Sequence, residues 1–212
     1  QQMPLMGITG NLSNLADIAI QSALEIAQKD APDRDKRAFI NDKIPGLFII
    51  AMGKHGAGEL NYSSDVDLSA FFERDEFDED YQGQSVPICV RLIGAVSRIL
   101  EEITADNYVF RVDWRLRPDP ASTPIAVSTR FAEQYYESVG QNWERAAFIK
   151  ARAVAGDFKN AAGFLEYLQP FIWRKYLDHA AVLDVGSILK QIHKHNRSVD
   201  YDNPAFNLKL GR

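Results

Sequence analysis

From Leu12 to Ala27, apolar side chains recur at Leu12, Leu15, Ala16, Ala19, Ala23 and Ala27, while Asp17, Gln21, Glu25 and Gln28 fall on the opposite side. Spacings of three and four residues predict an amphipathic helix, closed at Asp30-Ala31-Pro32. The run Leu47-Phe48-Ile49-Ile50-Ala51-Met52, halted by Gly53, has the length of a buried strand. Gly53 to Ser64 is rich in Gly, Ser and Asn and predicts a loop or a short helical turn. Alternation at Val66, Leu68, Ala70 and Phe72 then marks a second strand, followed by a solvated acidic loop from Glu73 to Asp80. Cys89, Leu92, Ile93, Val96, Ile99, Leu100 and Ile103 recur at helical spacing, with Cys89 packed as a small apolar group. Tyr108 to Trp114 reads as a third strand, ended by the prolines of Arg115-Leu116-Arg117-Pro118-Asp119-Pro120. Beyond Ser128 the periodicity is helical: Phe131 to Ser138, Trp143 to Ala153, Ala161 to Leu168, and a longer helix carrying Leu177, Ala181, Val185, Ile188 and Ile192.

These elements predict an α+β fold: a small mixed β-sheet core with flanking helices, followed by a helical domain. The expected divisions are an N-terminal helical segment (1–44), a core (45–127) and a helical domain (128–212) that stops without a cap, as a truncated domain would. Length and composition agree, since 212 residues with 46% hydrophobic and 25% charged residues can bury a sizeable core without staples. A formal charge of -5 provides no global field toward nucleic acid or anionic lipid. No apolar run is long enough to cross a bilayer, and the polar start lacks the plan of a signal peptide. The single cysteine cannot form an internal disulfide, so the cytoplasm is the expected compartment.

The chemistry concentrates in Ser63-Ser64-Asp65-Val66-Asp67-Leu68. On a strand, residues two apart share a face, so Asp65 and Asp67 point together while Val66 and Leu68 enter the core. Side-by-side carboxylates repel unless a shared proton or a hard cation neutralises them, and Mg²⁺ takes carboxylate oxygens at about 2.0–2.1 Å. Asp113, between Val112 and Trp114, supplies a third carboxylate from a separate strand. Three such groups can hold two cations about 3.5–4 Å apart, the clamp used in phosphoryl and nucleotidyl transfer. Arg115 and Arg117 follow at alternate positions and are expected on the Asp113 side, balancing either phosphate or the carboxylates. Gly53-Lys54-His55-Gly56 lacks the Gly-Lys-Ser/Thr ending of a P-loop. His193 and His195 diverge on their predicted helix and make no zinc site, and Trp114, Trp143 and Trp173 are read as core anchors.

Met52-Gly53, Asp65-Val66-Asp67-Leu68 and Val112-Asp113-Trp114 together resemble the signature of the polymerase-beta-like nucleotidyltransferases. More narrowly, residues 52–68, 111–118 and 143–152 resemble the bifunctional glutamine-synthetase adenylyltransferase/adenylyl-removing enzymes, over most of residues 46–212. The chain is long enough for only one of that family's two nucleotidyltransferase halves. Pro170 to Asp178 and Asn207 to Arg212 look more like the N-terminal, adenylyl-removing half. His55 stands where an aliphatic residue is usual, Ala57 replaces a glycine, and Asp119-Pro120-Ala121 replaces a glycine-containing stretch.

The resemblance implies phosphorolysis of the adenylyl-tyrosine bond on glutamine synthetase, releasing ADP; ATP-dependent adenylylation of the same tyrosine is the alternative. It implies catalytic and metal-binding roles for Asp65, Asp67 and Asp113 with Mg²⁺ or Mn²⁺, and ATP or ADP as the nucleotide. Gly53 would allow close backbone approach, Ser63 or Ser64 would donate hydrogen bonds to phosphate oxygens, and Arg115 and Arg117 would complete the nucleotide site. Glutamine synthetase and inorganic phosphate are the expected partners and the PII signalling protein a further candidate, with neither nucleic acid nor membrane involved. A catalytically silent domain that senses a nucleotide or a partner is the alternative of a different class, weighed against by the presence of all three carboxylates. Glu144 is expected to be structural, and the roles of Lys150 and Arg152 stay open.

Overall fold

The computed structural model describes residues 4–173. In chain order it contains α1 (Leu5–Lys29), α2 (Asp33–Lys36), β1 (Leu47–Ala51), α3 (Gly53–Gly56), β2 (Val66–Phe72), α4 (Glu79–Gln82), α5 (Ser85–Glu101), β3 (Val112–Asp113), β4 (Ala126–Ser128), α6 (Thr129–Ser138), α7 (Asn142–Phe148), β5 (Arg152–Gly156), α8 (Phe158–Tyr167) and α9 (Gln169–Ile172). The sheet runs β3-β2-β1-β5, with β4 also paired to β2. β1 is antiparallel to both β2 and β5, whereas β3 and β4 lie parallel to β2. The sheet is therefore small and mixed, with helices flanking it.

Every residue of β1 is fully buried because both of its faces are covered. Leu47, Ile49 and Ala51 pack with the inner sides of α1 and α5, while Phe48 and Ile50 join Tyr136 of α6, Phe148 of α7 and Phe164 of α8. An unbroken apolar run is what such two-sided burial requires. β2 obeys the alternation: Val66, Leu68, Ala70 and Phe72 face the α1/α5 layer and Phe71 the other. Cys89 sits inside α5, where burial pushes its thiol up and leaves it a small apolar filler.

Several expectations are corrected. The helix expected from Trp143 to Ala153 ends at Phe148, and Arg152–Gly156 becomes the strand that closes the free edge of β1. Alanines 151, 153 and 155 favour a helix locally, but the backbone groups along that edge need partners and decide the outcome. Residues of the segment expected to be helical thus belong to the sheet, and α8 and α9 pack on its second face. No separate helical domain appears among the described residues. The expected later helix, the motif residues beyond Trp173, His193 and His195 lie outside them.

The third strand shrinks to Val112–Asp113 because Val109 and Phe110 both donate their N–H groups to the Leu100 carbonyl at 3.0 Å. Trp114 is buried, but Trp143 and Trp173 are 42% and 60% exposed and anchor no core. Leu15 and Ile103, expected to face inward, are exposed as well. On α1 the buried stripe is Ala16, Ile20, Ala23, Leu24 and Ala27. Its supposed solvent side is partly docked: Gln21 accepts from the Gly156 N–H at 3.1 Å and Gln28 from the Ile44 N–H at 2.8 Å.

Candidate active site

The apolar layer beneath β2 gives way to carboxylates at the strand's N-terminal end. Val66 and Leu68 enter the α1/α5 core, so Asp67 takes the other face. β3 runs parallel to β2 with Asp113 in register with Asp67, while Val112 packs toward the α1/α5 layer and the Trp114 Nε1–H donates to Ser97 Oγ of α5 at 3.2 Å. In-register residues of adjacent strands share a face. Asp67 and Asp113 are therefore presented on one face at one corner of the sheet, and Asp65 immediately precedes β2 beside them.

Two arginines bind this corner. Arg111 donates from Nε to Asp65 Oδ1 at 2.6 Å and from Nη2 to the Ser63 carbonyl at 2.8 Å. Arg115 forks onto Asp113, with Nη2 at 2.5 Å from Oδ2 and Nε at 2.9 Å from Oδ1, and its backbone N–H adds a bond to Oδ1 at 2.9 Å. The Arg115 hydrogen bonds hold the Asp113 carboxyl below the usual carboxylate range despite partial burial. Arg115 in turn is raised by Asp113 and, at longer range, by Asp65 and Asp67, so the guanidinium feels all three carboxylates. An open cavity of about 430 Å³ lies here, with Asp65, Glu101, Arg111, Asp113 and Arg115 in its walls. A larger one of about 790 Å³, with Glu73, Asp75, Arg130 and Glu133 in its walls, opens near the far end of β2; Asp67 lines neither of the two.

Gly53 occupies a left-handed conformation at φ +56°, and a Cβ on it would collide with the Asp67 carboxylate. The backbone turn of α3 thus lies directly against one of the aspartates, held further by the Met52 N–H donating to the Asp67 carbonyl at 2.9 Å. Ser63 and Ser64 shape the turn into β2: the Ser64 hydroxyl donates to Asn61 Oδ1 at 2.7 Å and the Ser63 N–H to the same oxygen at 3.2 Å. Arg117 does not share the Asp113 side. Its guanidinium donates to the carbonyls of Trp114, Pro120 and Thr123 at 2.9, 2.9 and 3.0 Å, bracing the loop after β3.

Among the charged residues of the third motif, Glu144, Lys150 and Arg152 each have partners within the chain. Glu144 is buried in a capping box at the start of α7, and burial pushes its carboxyl up. Lys150 pairs with Glu59 at 2.9 Å. Arg152 pairs with Asp17 of α1, at 2.6 Å through Nη1. Sequence reasoning missed Arg111 and Glu101 in the cavity wall. Period-two spacing ahead of Asp113 and Arg115 would have found Arg111, whereas Glu101, on the last turn of α5, carries no local signal.

As the side chains stand, no three His, Cys, Asp or Glu among the described residues are grouped to hold a metal ion. The donor set nevertheless suits a hard cation: carboxylate oxygens from two strands on one face, beside a turn kept clear of any Cβ. A cation there would take over the neutralisation that the arginines supply.

A family model for glutamate-ammonia ligase adenylyltransferase matches residues 1–167. Among curated relatives, a bifunctional glutamine synthetase adenylyltransferase/adenylyl-removing enzyme of Caulobacter vibrioides is 48% identical over 97% of this chain and 21% of its own length. Enzymes of the same name from Bartonella henselae and Bradyrhizobium sp. are 46% and 45% identical over 95% and 99% of the chain, and 21% and 22% of their own lengths. The chain thus spans about a fifth of the relatives it matches.

Proposed function

Because this chain belongs to the glutamate-ammonia ligase adenylyltransferase family, we propose that it is a nucleotidyl-transfer unit that removes AMP from an adenylylated tyrosine of glutamine synthetase by phosphorolysis. The observation that carries this reading is the in-register pairing of Asp67 with Asp113, with Asp65 immediately before β2 and Arg115 feeling the charge of all three. Asp65, Asp67 and Asp113 would hold Mg²⁺ or Mn²⁺. When bound, the cation supplies charge neutralisation and polarisation of the phosphorus under attack. A phosphate oxygen forms the new bond to the AMP phosphorus, the bond to the tyrosine oxygen breaks, and tyrosine leaves with a proton as ADP forms.

This chain's own residues do the positioning. Gly53 lets the backbone approach Asp67 and the nucleotide phosphate without a side chain between them. Arg115, largely exposed at the sheet edge, would redirect one of its N–H donors from Asp113 to the incoming phosphate while remaining a full cation. Ser63 and Ser64 set the turn that delivers Asp65, and in this reading the Ser64 hydroxyl would exchange Asn61 for a phosphate oxygen. The segment from Pro170 to Asp178 falls largely outside the described residues and that from Asn207 to Arg212 wholly so, and the choice of direction rests on their likeness to the adenylyl-removing half. A helical domain beyond the sheet, a PII-type regulator as partner and a cytoplasmic setting complete the proposal; no helix among the described residues is long and apolar enough to cross a membrane.

The test uses the full-length protein that carries this chain, with adenylylated glutamine synthetase, Mg²⁺ and phosphate, following ADP release. Asp67→Asn should lower turnover by at least about a hundredfold with the fold intact. Wild-type turnover in that variant overturns the assignment, loss of AMP incorporation from ATP with phosphorolysis intact reverses the direction, and weakened nucleotide binding with both reactions at wild-type rates makes the domain a sensor.

A further inference from the structure

The α3 turn that carries Gly53 is gripped from behind by side chains far apart in sequence. Arg152, the first residue of β5, donates from Nη1 to Asp17 Oδ2 at 2.6 Å and from Nη2 to Asp17 Oδ1 at 3.1 Å. The same guanidinium reaches the turn's own backbone, with Nη2 at 3.2 Å from the His55 carbonyl and Nε at 3.3 Å from the Gly56 carbonyl. His55, fully buried, donates from Nε2 to Asp17 Oδ1 at 2.8 Å, and its Nδ1 has no hydrogen-bond partner among the described residues. At Gly56 the carbonyls of Lys150 and Ala51 approach so closely that a Cβ would clash with both. The turn is wedged at its Gly56 end and pressed against Asp67 at its Gly53 end.

Unlike Arg117, which grips only its own loop, Arg152 ties the α3 turn to a carboxylate of α1 and to a strand of the sheet. Here the planar fork also spends N–H groups on two carbonyls of the turn, a geometry that a lysine ammonium cannot reproduce while holding Asp17. We propose that Arg152 is a positioning residue for the nucleotide site: tied to Asp17 and backed by His55, it sets the height of the Gly53 turn over Asp67 and so the room left for the nucleotide phosphate. This rests on the nucleotidyl-transfer reading above. It assigns no contact between Arg152 and substrate.

Two conservative variants test it in the full-length protein. Arg152→Lys keeps the charge facing Asp17 and loses the bridge to the carbonyls; Asp17→Asn keeps the shape and weakens the hold on Arg152. The readouts are equilibrium binding of Mg²⁺·ADP, the thermal midpoint, and phosphorolytic turnover. Arg152→Lys should weaken Mg²⁺·ADP binding about tenfold with little change in midpoint, and Asp17→Asn should do the same to a smaller degree. Wild-type ADP affinity in both variants, whatever their midpoints, makes Arg152 a brace of the fold and overturns the proposal. Asp67→Asn, run in parallel, separates the two readings: full turnover there removes the underlying site, whereas lost turnover there with unchanged ADP affinity in the Arg152 and Asp17 variants removes only the positioning role.

Discussion

Two aspartate–arginine pairs flank the α3 turn and differ in almost every respect except their chemistry. Asp113 and Arg115 are two residues apart at the edge of the sheet, and the Arg115 side chain is 82% exposed. Asp17 and Arg152 are joined from α1 and β5, with His55 and two turn carbonyls completing the network. Arg115 lowers the Asp113 carboxyl directly. At Asp17, burial pushes the carboxyl up and the hydrogen bonds from His55 and Arg152 outweigh it, leaving it low as well. The Arg115 side of the edge pair is open to water, salt or a phosphate, whereas Arg152, less exposed, is tied to two backbone carbonyls of the turn as well as to Asp17. The first is suited to chemistry and the second to holding its frame.

Gly53 lies between the two pairs, and its substitution should have the largest effect. Gly53→Ala places a Cβ in a left-handed conformation and into the Asp67 carboxylate. A backbone cost of about 1–2 kcal/mol is expected from the conformation alone. Displacement of Asp67 should cost more in function, about a hundredfold in turnover, because misplacement by an ångström is enough. Urea unfolding and ADP release measured on the same variant check both; near-normal turnover would mean that the turn does not set the site.

The contrast between the pairs also marks how far the sequence could be read. β1, β2 and α5 were legible because two-sided burial, alternation and helical spacing each leave a plain apolar pattern. The pairing of Asp67 with Asp113 on one face followed from the period of two, and Arg111, which holds Asp65, was available by the same rule. Asp17 was not legible, because a carboxylate on the polar side of an amphipathic helix looks the same whether water or Arg152 faces it. Arg152 was hidden by the alanines around it, which favour a helix until the open edge of β1 claims them. Arg117 alternates with Arg115 in sequence, yet leaves its side because the loop after β3 is no longer a strand. What could not be read were contacts between segments, where the partner is set by packing.

The inner pair should dominate stability. Asp17→Ala leaves the His55 Nε2–H buried without its acceptor and Arg152 without its carboxylate, and one unsatisfied buried donor costs about 1–3 kcal/mol. The loss should depend on pH in a definite direction. A carboxyl held below its unfolded value of about 3.9 contributes in full above that value, and its contribution disappears as pH falls through the folded one. Asp113 titrates in the same direction, so the informative quantity is wild type minus Asp17→Asn, where the Asp113 contribution cancels. That difference should be constant near neutrality and shrink in acid. A difference that grows in acid would contradict the lowered Asp17 carboxyl.

Arg115→Ala should have the smallest effect on the fold. The side chain is largely exposed, and water and salt can take over the neutralisation of Asp113. The urea midpoint should match wild type at physiological salt, with any deficit confined to low ionic strength, where the repulsion among Asp65, Asp67 and Asp113 is least screened. The same substitution should weaken phosphate binding, since the guanidinium is an exposed cation seated directly on the carboxylate face. If Arg115→Ala instead unfolds as readily as Asp17→Ala and salt does not restore it, the edge carboxylates form a fixed structural cluster, and the division of labour between the two pairs is lost.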